Sequence, residues 1–389
     1  MAFPLSEKSK SGIAIYRSIK EMNCEIEVVV PATKYGQYSN VLKNGVVHWV
    51  KYLPRKLLLV IPYNVGGGII NRIKKNPLIL TLLPIMYISI VFKVFRLVRK
   101  DTVIHAHWWP NAIVALIIKL LKSNNYVVTV RGTDQSLYKL PFFNFLAKLV
   151  FKNATFITAV SEELVNDINN RFSINNNVLC VQNGVELVNN INHCKFDDNY
   201  NFLFVGTLTK GKGVKDLINA FSHLTDKRKN VRLLIGGSGP ELESLMHQSR
   251  KTENNDYIKF LGEIPPNRVQ KLMQKCDCFV FTSYSEGTPN VIKEAMACGM
   301  PIISTNLPGV CEHIDNGENG LLFEPGDIKK IIKYMNFIID NHAEATKIGI
   351  AAKEKIISKN LTWKNTAAQY ENIYEQIILN NSLDQSFEK

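Results

Sequence analysis

The 389-residue sequence predicts an α/β protein of two tandem domains, each a parallel sheet covered by helices. Short β-branched runs alternate with helix-length segments along almost the whole chain, the pattern of right-handed βαβ units. A polar, Asn- and Asp-rich segment, Glu186–Asn201, interrupts that rhythm midway and carries neither period, so it reads as a linker. Charge changes at the same place: residues 1–190 hold 23 Lys+Arg against 10 Asp+Glu, whereas residues 191–389 hold 24 against 24. The whole excess of +13 therefore sits in the first half.

Taken in order, Ile26–Val30, Thr102–His105, Tyr126–Val130 and Thr155–Val160 read as buried strands, with helical segments such as Gly12–Lys20 and Ala112–Leu121 between them. After the linker the pattern repeats at Phe202–Val205, Val231–Ile235, Ile258–Leu261, Cys278–Phe281 and Pro301–Ser304. Leu361–Ile378 reads as a closing amphipathic helix. Domain boundaries are expected at 1–188, 189–362 and 363–389, the last piece a helix that returns to the first domain. In such sheets ligands bind beyond the carboxyl ends of the strands, so the loops after strands are where chemistry is sought.

One stretch departs from the alternation. Between Lys75 and Lys93 lie 17 uncharged residues with basic residues on both sides. Pro84 falls in the run and spanning helices need about 20 apolar residues, so a transmembrane segment is not the reading. Two remain open: a helix buried or half-buried in the first domain, and a basic-flanked helix lying at a membrane interface. The basic half as a whole suits an anionic membrane leaflet or a phosphorylated substrate, or simply a solvated face, and nucleic acid is not the reading taken.

Composition excludes other classes. Hydrophobic residues are 46% and charged residues 21%, which rules out a disordered or collagen-like chain. Seven Cys at irregular spacing argue for a reducing compartment over a disulfide framework or zinc site. Met1–Gly12 lacks the apolar core of a secretory signal, and the expected location is cytoplasmic.

The strongest chemical signal is Thr282–Gly299, TSYSEGTPNVIKEAMACG. It comes after the strand CFVF, turns at Gly287-Thr288-Pro289 and enters a helix with Pro289 as its first residue. Glu286 then lies in the loop at the strand's carboxyl end and Glu294 on the helix, whose N-terminal N–H groups suit phosphate. Either the pair addresses two parts of one ligand, or both are ordinary surface glutamates.

This segment resembles the E-x7-E signature of the family 4 retaining glycosyltransferases. Matching pieces occur in order at Phe204–Ile218 (FVGTLTKGKGVKDLI), Leu233–Leu242 (LLIGGSGPEL), Phe260–Glu263 (FLGE), Gln182–Val185 (QNGV), Ile104–Pro110 (IHAHWWP) and Asn319–Gly326 (NGLLFEPG). The resemblance covers most of the chain and is densest from 200 to 330. It implies the glycosyltransferase-B fold: two tandem Rossmann-like domains facing a central cleft, the first on the acceptor side and the second holding a nucleotide-diphosphate sugar donor.

The resemblance also assigns roles. Lys212 would neutralise the leaving diphosphate and Glu294 would hold the ribose hydroxyls. Glu286 would hydrogen-bond the donor sugar near the reacting carbon. Gly237, Thr288, Pro289 and Asn290 would bring backbone close to sugar and phosphates, and Gly12 would do so from the first domain. His107, at a strand end, would contact acceptor or phosphate. Transfer would proceed by same-face attack with retention, with no obligatory metal and no cofactor. Three departures stand out. Thr207 occupies a place where many relatives carry an arginine, and Arg131 stands where many carry a histidine and is expected to supply part of the missing charge. The opening FPLSEKSKSG resembles the family's loop after its first strand, so the first domain is expected to lack that strand.

The function expected is transfer of a sugar from a nucleotide-diphosphate sugar to an acceptor, lipid-linked or glycan, in cell-surface polysaccharide synthesis by a peripheral membrane enzyme. The alternatives are a non-catalytic nucleotide-sugar or membrane-binding protein of the same fold, and a sugar-nucleotide epimerase.

Overall fold

The computed structural model describes residues 12–32, 41–54, 79–174, 177–188, 198–251 and 255–387. The chain divides into two compact units, Met1–Gly184 with Trp363–Lys389, and Val185–Thr362. The divisions fall at 184/185 and 362/363, against 188/189 and 362/363 read from the sequence. Both units are Rossmann-like.

The second unit is built on a six-stranded sheet of order β10-β9-β8-β11-β12-β13. Its strands are β8 (Tyr200–Val205), β9 (Val231–Gly236), β10 (Ile258–Gly262), β11 (Cys278–Phe281), β12 (Ile302–Thr305) and β13 (Leu321–Phe323). Every pairing is parallel. Helices cover both faces, so the strands are predominantly apolar. Phe202 and Phe204 of β8 point into one core and Leu203 into the other, and all three are fully buried. Burying each such side chain contributes roughly 1.5–3 kcal/mol. The chain winds outward from β8 through β9 and β10, then returns to lay β11, β12 and β13 on the other side of β8. The order therefore reverses between β8 and β11, where the first helices of the two halves diverge and leave room for a ligand.

The first unit contains two sheets among the described residues. One is wholly parallel, in the order β4 (Ile104–His107), β5 (Tyr126–Val130), β6 (Phe156–Ala159), β7 (Val178–Cys180). In the other, β3 (Gly45–Val50) pairs in parallel with β1 (Ile26–Pro31) and antiparallel with β2 (Val41–Leu42). Strand β4 begins two residues later than the expected Thr102–His105. The reason is local: the Thr102 hydroxyl accepts from the Arg99 backbone N–H at 3.0 Å and its own N–H bonds Arg99 O at 3.1 Å, closing a turn where the strand was placed. No pairing joins β1 to β4 among the described residues. The segment 1–11, on which the expected missing strand rests, lies outside them.

The apolar stretch forms the helix Ile79–Leu97, with Pro84 inside it; residues 76–78 lie outside the described ones. Its inner stripe, including Met86 and Ile90, packs with Ala32, Val50, Tyr52 and Val114. Its outer stripe, Ile85, Ile88, Phe92 and Phe95, is exposed. Among the described residues no helix is long and apolar enough to cross a membrane. The helix Trp363–Phe387 belongs to the first unit, burying Ala367, Tyr370, Ile373 and Ile377 with Met22, Val127 and Val181. Glu371 anchors it by accepting from the backbone N–H groups of Asn23 and Cys24 at 2.6 and 2.9 Å.

Candidate active site

The carboxyl ends of β8 and β11, on either side of the reversal, are tied to each other by glycines and short hydrogen bonds. After β8 the chain passes through Thr207, which is exposed, to a single turn at Lys210–Lys212 and then to Gly213. Gly213 has φ +63, and a Cβ there would stand 2.1 Å from the Thr282 carbonyl oxygen. Only glycine lets the two loops approach so closely. Across that contact the Thr282 hydroxyl donates to Lys212 O at 2.9 Å, and the Tyr284 N–H donates to Gly211 O at 2.8 Å. Gly237, after β9, plays a similar part: with φ +144 it leaves its would-be Cβ 1.8 Å from Gly206 O.

The stitched loops bring Lys212 and Glu286 into an ion pair between Nζ and Oε1. Both are largely sheltered, with side chains 25% and 19% exposed. Ser283 is fully buried and donates its hydroxyl to the same Oε1 at 3.2 Å, fixing the carboxylate's position. Burial pulls the Lys212 ammonium below its ordinary pKa even though a carboxylate faces it. A cation held where desolvation costs it stability is poised to gain from a stronger anion.

Beyond Glu286, Pro289 sits one place earlier than read from the sequence: it is the N-cap, and the helix runs Asn290–Ala297 with the half-buried Glu294 in its second turn. The Thr288 hydroxyl oxygen, just before it, is buried without a hydrogen-bond partner. An orphaned hydroxyl at a helix N-terminus suits an arriving oxyanion. Behind the loop, a Cβ on Gly309 would lie 1.2 Å from Gly287 O, so the next helix supports the turn directly. Lys212 and Glu286 are thus in contact, Thr207 and Gly237 lie in the loops after β8 and β9, and Thr288, Pro289, Asn290 and Glu294 follow Glu286 after β11.

Gly12, His107 and Arg131 belong to the other unit. Gly12, with φ +75, opens the helix Ile13–Glu21 in the left-handed region. The His105 and His107 rings at the end of β4 stand 4.1 Å apart. His105 bonds Tyr374 Oη at 2.5 Å and Thr129 Oγ1 at 2.6 Å. His107 Nδ1 is buried without a partner, as is Arg131 Nε, while Arg131 Nη1 donates to Asn183 Oδ1 at 3.1 Å. Burial, aided by Arg131, pushes the His105 imidazole down to about 3. Burial, with His105 and Arg131 adding to it, holds His107 well below the usual histidine range. Both rings are therefore neutral at physiological pH. Next to it Trp108 adopts φ +75, ψ 115, a conformation costly for a bulky residue, held by Trp108 N to Thr129 O at 3.0 Å and Asn111 N to Trp108 O at 2.9 Å. Its sequence context, Trp-Trp-Pro at a strand end, marked the place but not the strain. Ser283 and Thr282 carried no sequence signal of their own, since their roles depend on contacts between loops far apart in the chain.

Known proteins agree with this architecture. Residues 14–188 match the family model "Glycosyltransferase Family 4" and residues 190–355 match "Glycosyl transferases group 1". An uncharacterized glycosyltransferase of Methanocaldococcus jannaschii is 30% identical over 283 residues, 70% of this chain and 75% of its own length. The chain belongs to the family 4 glycosyltransferases. A second uncharacterized glycosyltransferase of that organism is 28% identical over 251 residues, and the match spans 62% of this chain and 64% of the relative. The capsular polysaccharide biosynthesis glycosyltransferase CapM of Staphylococcus aureus is 28% identical over 271 residues, 63% of this chain and 69% of CapM. Among solved structures, sucrose-phosphate synthase of Thermosynechococcus elongatus superposes with a TM-score of 0.73 at 18% identity, covering 95% of this glycosyltransferase and 94% of that chain. HepE of Anabaena, in complex with UDP and glucose, gives 0.65 at 18% identity over 91% and 99%. The fold is glycosyltransferase-B.

Proposed function

We propose that this glycosyltransferase moves a sugar, with retention of configuration, from a nucleotide-diphosphate sugar to a lipid-linked acceptor, working peripherally at the inner face of a membrane in the assembly of a cell-surface polysaccharide. The observation that carries the donor half is the sheltered Lys212–Glu286 pair at the point where the strand order reverses. HepE, with UDP and glucose bound, supports a nucleotide-sugar donor, and CapM's role in capsule synthesis supports the polysaccharide.

In this reading the ion pair is a resting state. An entering diphosphate takes Lys212 from Glu286, and the new charge-assisted hydrogen bond contributes roughly 1.5–3 kcal/mol, more as negative charge grows on the departing phosphate. The released Glu286, still held by Ser283, turns to a hydroxyl of the donor sugar. Glu294 holds the ribose, and Thr288, Pro289 and Asn290 present a hydroxyl and backbone groups to sugar and phosphates. Gly237 and Thr207 line the approach, and Lys212 supplies charge that some transferases obtain from a metal ion. On the other unit, in the same reading, Gly12 and Arg131 offer backbone and positive charge to a phosphate, and neutral His107 is a contact for the acceptor or phosphate. Same-face attack needs no enzyme nucleophile: positioning and fixed charge lower the barrier.

Transfer from a panel of UDP-, GDP- and ADP-sugars by wild type, Lys212→Ala and Glu286→Gln tests this. Each substitution is expected to remove at least about tenfold of activity, equal to about 1.4 kcal/mol. Wild-type rates in both would overturn the catalytic reading. Thr207, an exposed uncharged residue in the phosphate loop, favours a second reading as a nucleotide-sugar binder; nucleotide binding without any transfer would select it. Free epimerised donor, made without an acceptor, would instead indicate an epimerase.

A further inference from the structure

Large exposed apolar side chains are concentrated on three helices of the first unit: Ile79–Leu97, Ala112–Lys122 and Pro141–Asn153. Phe92 is 64% exposed, Leu120 77% and Phe142 69%, with Ile88, Leu121 and Phe145 beside them in sequence on the same helices. Each helix also has a buried stripe facing the core, so the outer residues are a second apolar face and not a misplaced first one. The three helices are fastened together. Lys122 Nζ donates to the Phe95 and Val98 carbonyl oxygens at 2.7 and 2.9 Å, at the C-terminal end of the first helix. Lys119 Nζ donates to Asn153 O at 2.8 Å, at the end of the third. The middle helix therefore binds both neighbours, so the three exposed stripes lie on adjacent helices of one unit.

Charge says what covers that side. None of the three helices contains Asp or Glu, and together they carry Lys93, Arg96, Lys119, Lys122, Lys148 and Lys152. From residue 28 to residue 161 the chain has 18 Lys+Arg and only two acidic residues, Asp101 and Asp134. A folded protein partner of mixed charge has no use for so one-sided a surface, whereas an anionic bilayer takes apolar side chains into the acyl boundary and lysines at the headgroups. We propose that this three-helix face docks on an anionic lipid bilayer, the apolar stripes entering the interface and Lys93, Arg96, Lys148 and Lys152 meeting the phosphates. This deepens the membrane part of the proposed function and rests on it, naming the surface that reaches the lipid. It makes docking a property of three helices and not of the single apolar helix that the sequence singled out.

Flotation of the full chain with phosphatidylcholine vesicles, with and without 30% phosphatidylglycerol (about one anionic lipid in three), tests the proposal. The wild type is expected to bind the anionic vesicles at least tenfold more than the neutral ones at low salt, and binding should fall but not vanish at high salt. Phe142→Asp with Phe145→Asp, and separately Leu120→Asp with Leu121→Asp, should each lose at least tenfold of vesicle binding with thermal melting and UDP- or GDP-sugar hydrolysis unchanged. No binding by the wild type, equal flotation of wild type and both variants, or a self-association that the Asp pairs abolish without any vesicle binding would overturn it. Vesicle binding with no sugar transfer would leave this face standing and remove the catalytic reading, so the two fail separately.

Discussion

His105, His107 and His313 show how single buried side chains set the response of this protein to acid. Burial first, then Arg131 for His105 and Lys293, Lys359 and Lys355 for His313, pushes those two down to about 3, and burial with His105 and Arg131 holds His107 well below its ordinary range. In the folded state these rings stay neutral where the unfolded chain binds protons, so the unfolded state holds more protons below about pH 6.5. Stability is therefore complete above that pH and falls as pH drops from about 6.5 toward 3, by up to about 1.4 kcal/mol per pH unit for each ring. Urea midpoints measured at pH 8.5, 7.5 and 5.5 should be level over the first interval and fall over the second, with a shallower fall in His105→Gln. A flat profile would contradict the buried, neutral state. At this scale the sequence was informative where chemistry and spacing coincide: Glu286, Glu294 and Lys212 stand out in EGTPNVIKE and KGKG. Ser283, which holds Glu286, and Gly213, which lets the β8 and β11 loops touch, could not be singled out, because nothing local says that Thr282 O will lie 2.1 Å from a missing methyl group.

Among elements, strands buried on both faces were the most legible. β5, β9 and β11 are apolar runs broken only by Thr129, Arg232 and the closing Gly236, because helices cover both sides of their sheets, and their ends are close to where the sequence put them. β3 escaped notice because Gly45, His48 and Trp49 break its apolar period, and β7 and β13 because three residues are too few to show one. At Gly45 the interruption has a purpose, since a Cβ there would lie 1.9 Å from Ile26 O, where β1 and β3 meet. The closing helix Trp363–Phe387 was legible as a helix, but the anchoring of Glu371 on Asn23 and Cys24 spans nearly the whole chain and leaves no local trace. Tyr370 is 1% exposed and its ring lies 4.9 Å from that of His105. Tyr370→Ala should cost about 3–5 kcal/mol in the first unit. Limited proteolysis should then cut the first unit preferentially, leaving a fragment near 185–362; equal resistance of both units would show that the helix contributes little there.

Across the whole molecule, the +13 excess lies entirely before residue 190, and the donor-site residues Lys212, Glu286 and Glu294 lie in the second unit, whose 22 Lys+Arg nearly balance its 21 Asp+Glu. The same division separates a unit with an apolar, basic outer face from one with a polar loop cluster at a sheet reversal. The proposed chemistry turns on Lys212 exchanging the Glu286 carboxylate for a diphosphate, since a buried ammonium with a lowered pKa gains most from an added anion. Calorimetric titration of UDP, GDP and ADP into wild type and Lys212→Ala measures that exchange directly. One nucleoside diphosphate is expected to bind the wild type, and Lys212→Ala to weaken it at least about tenfold with the fold intact. Equal affinity in the two proteins would contradict the exchange.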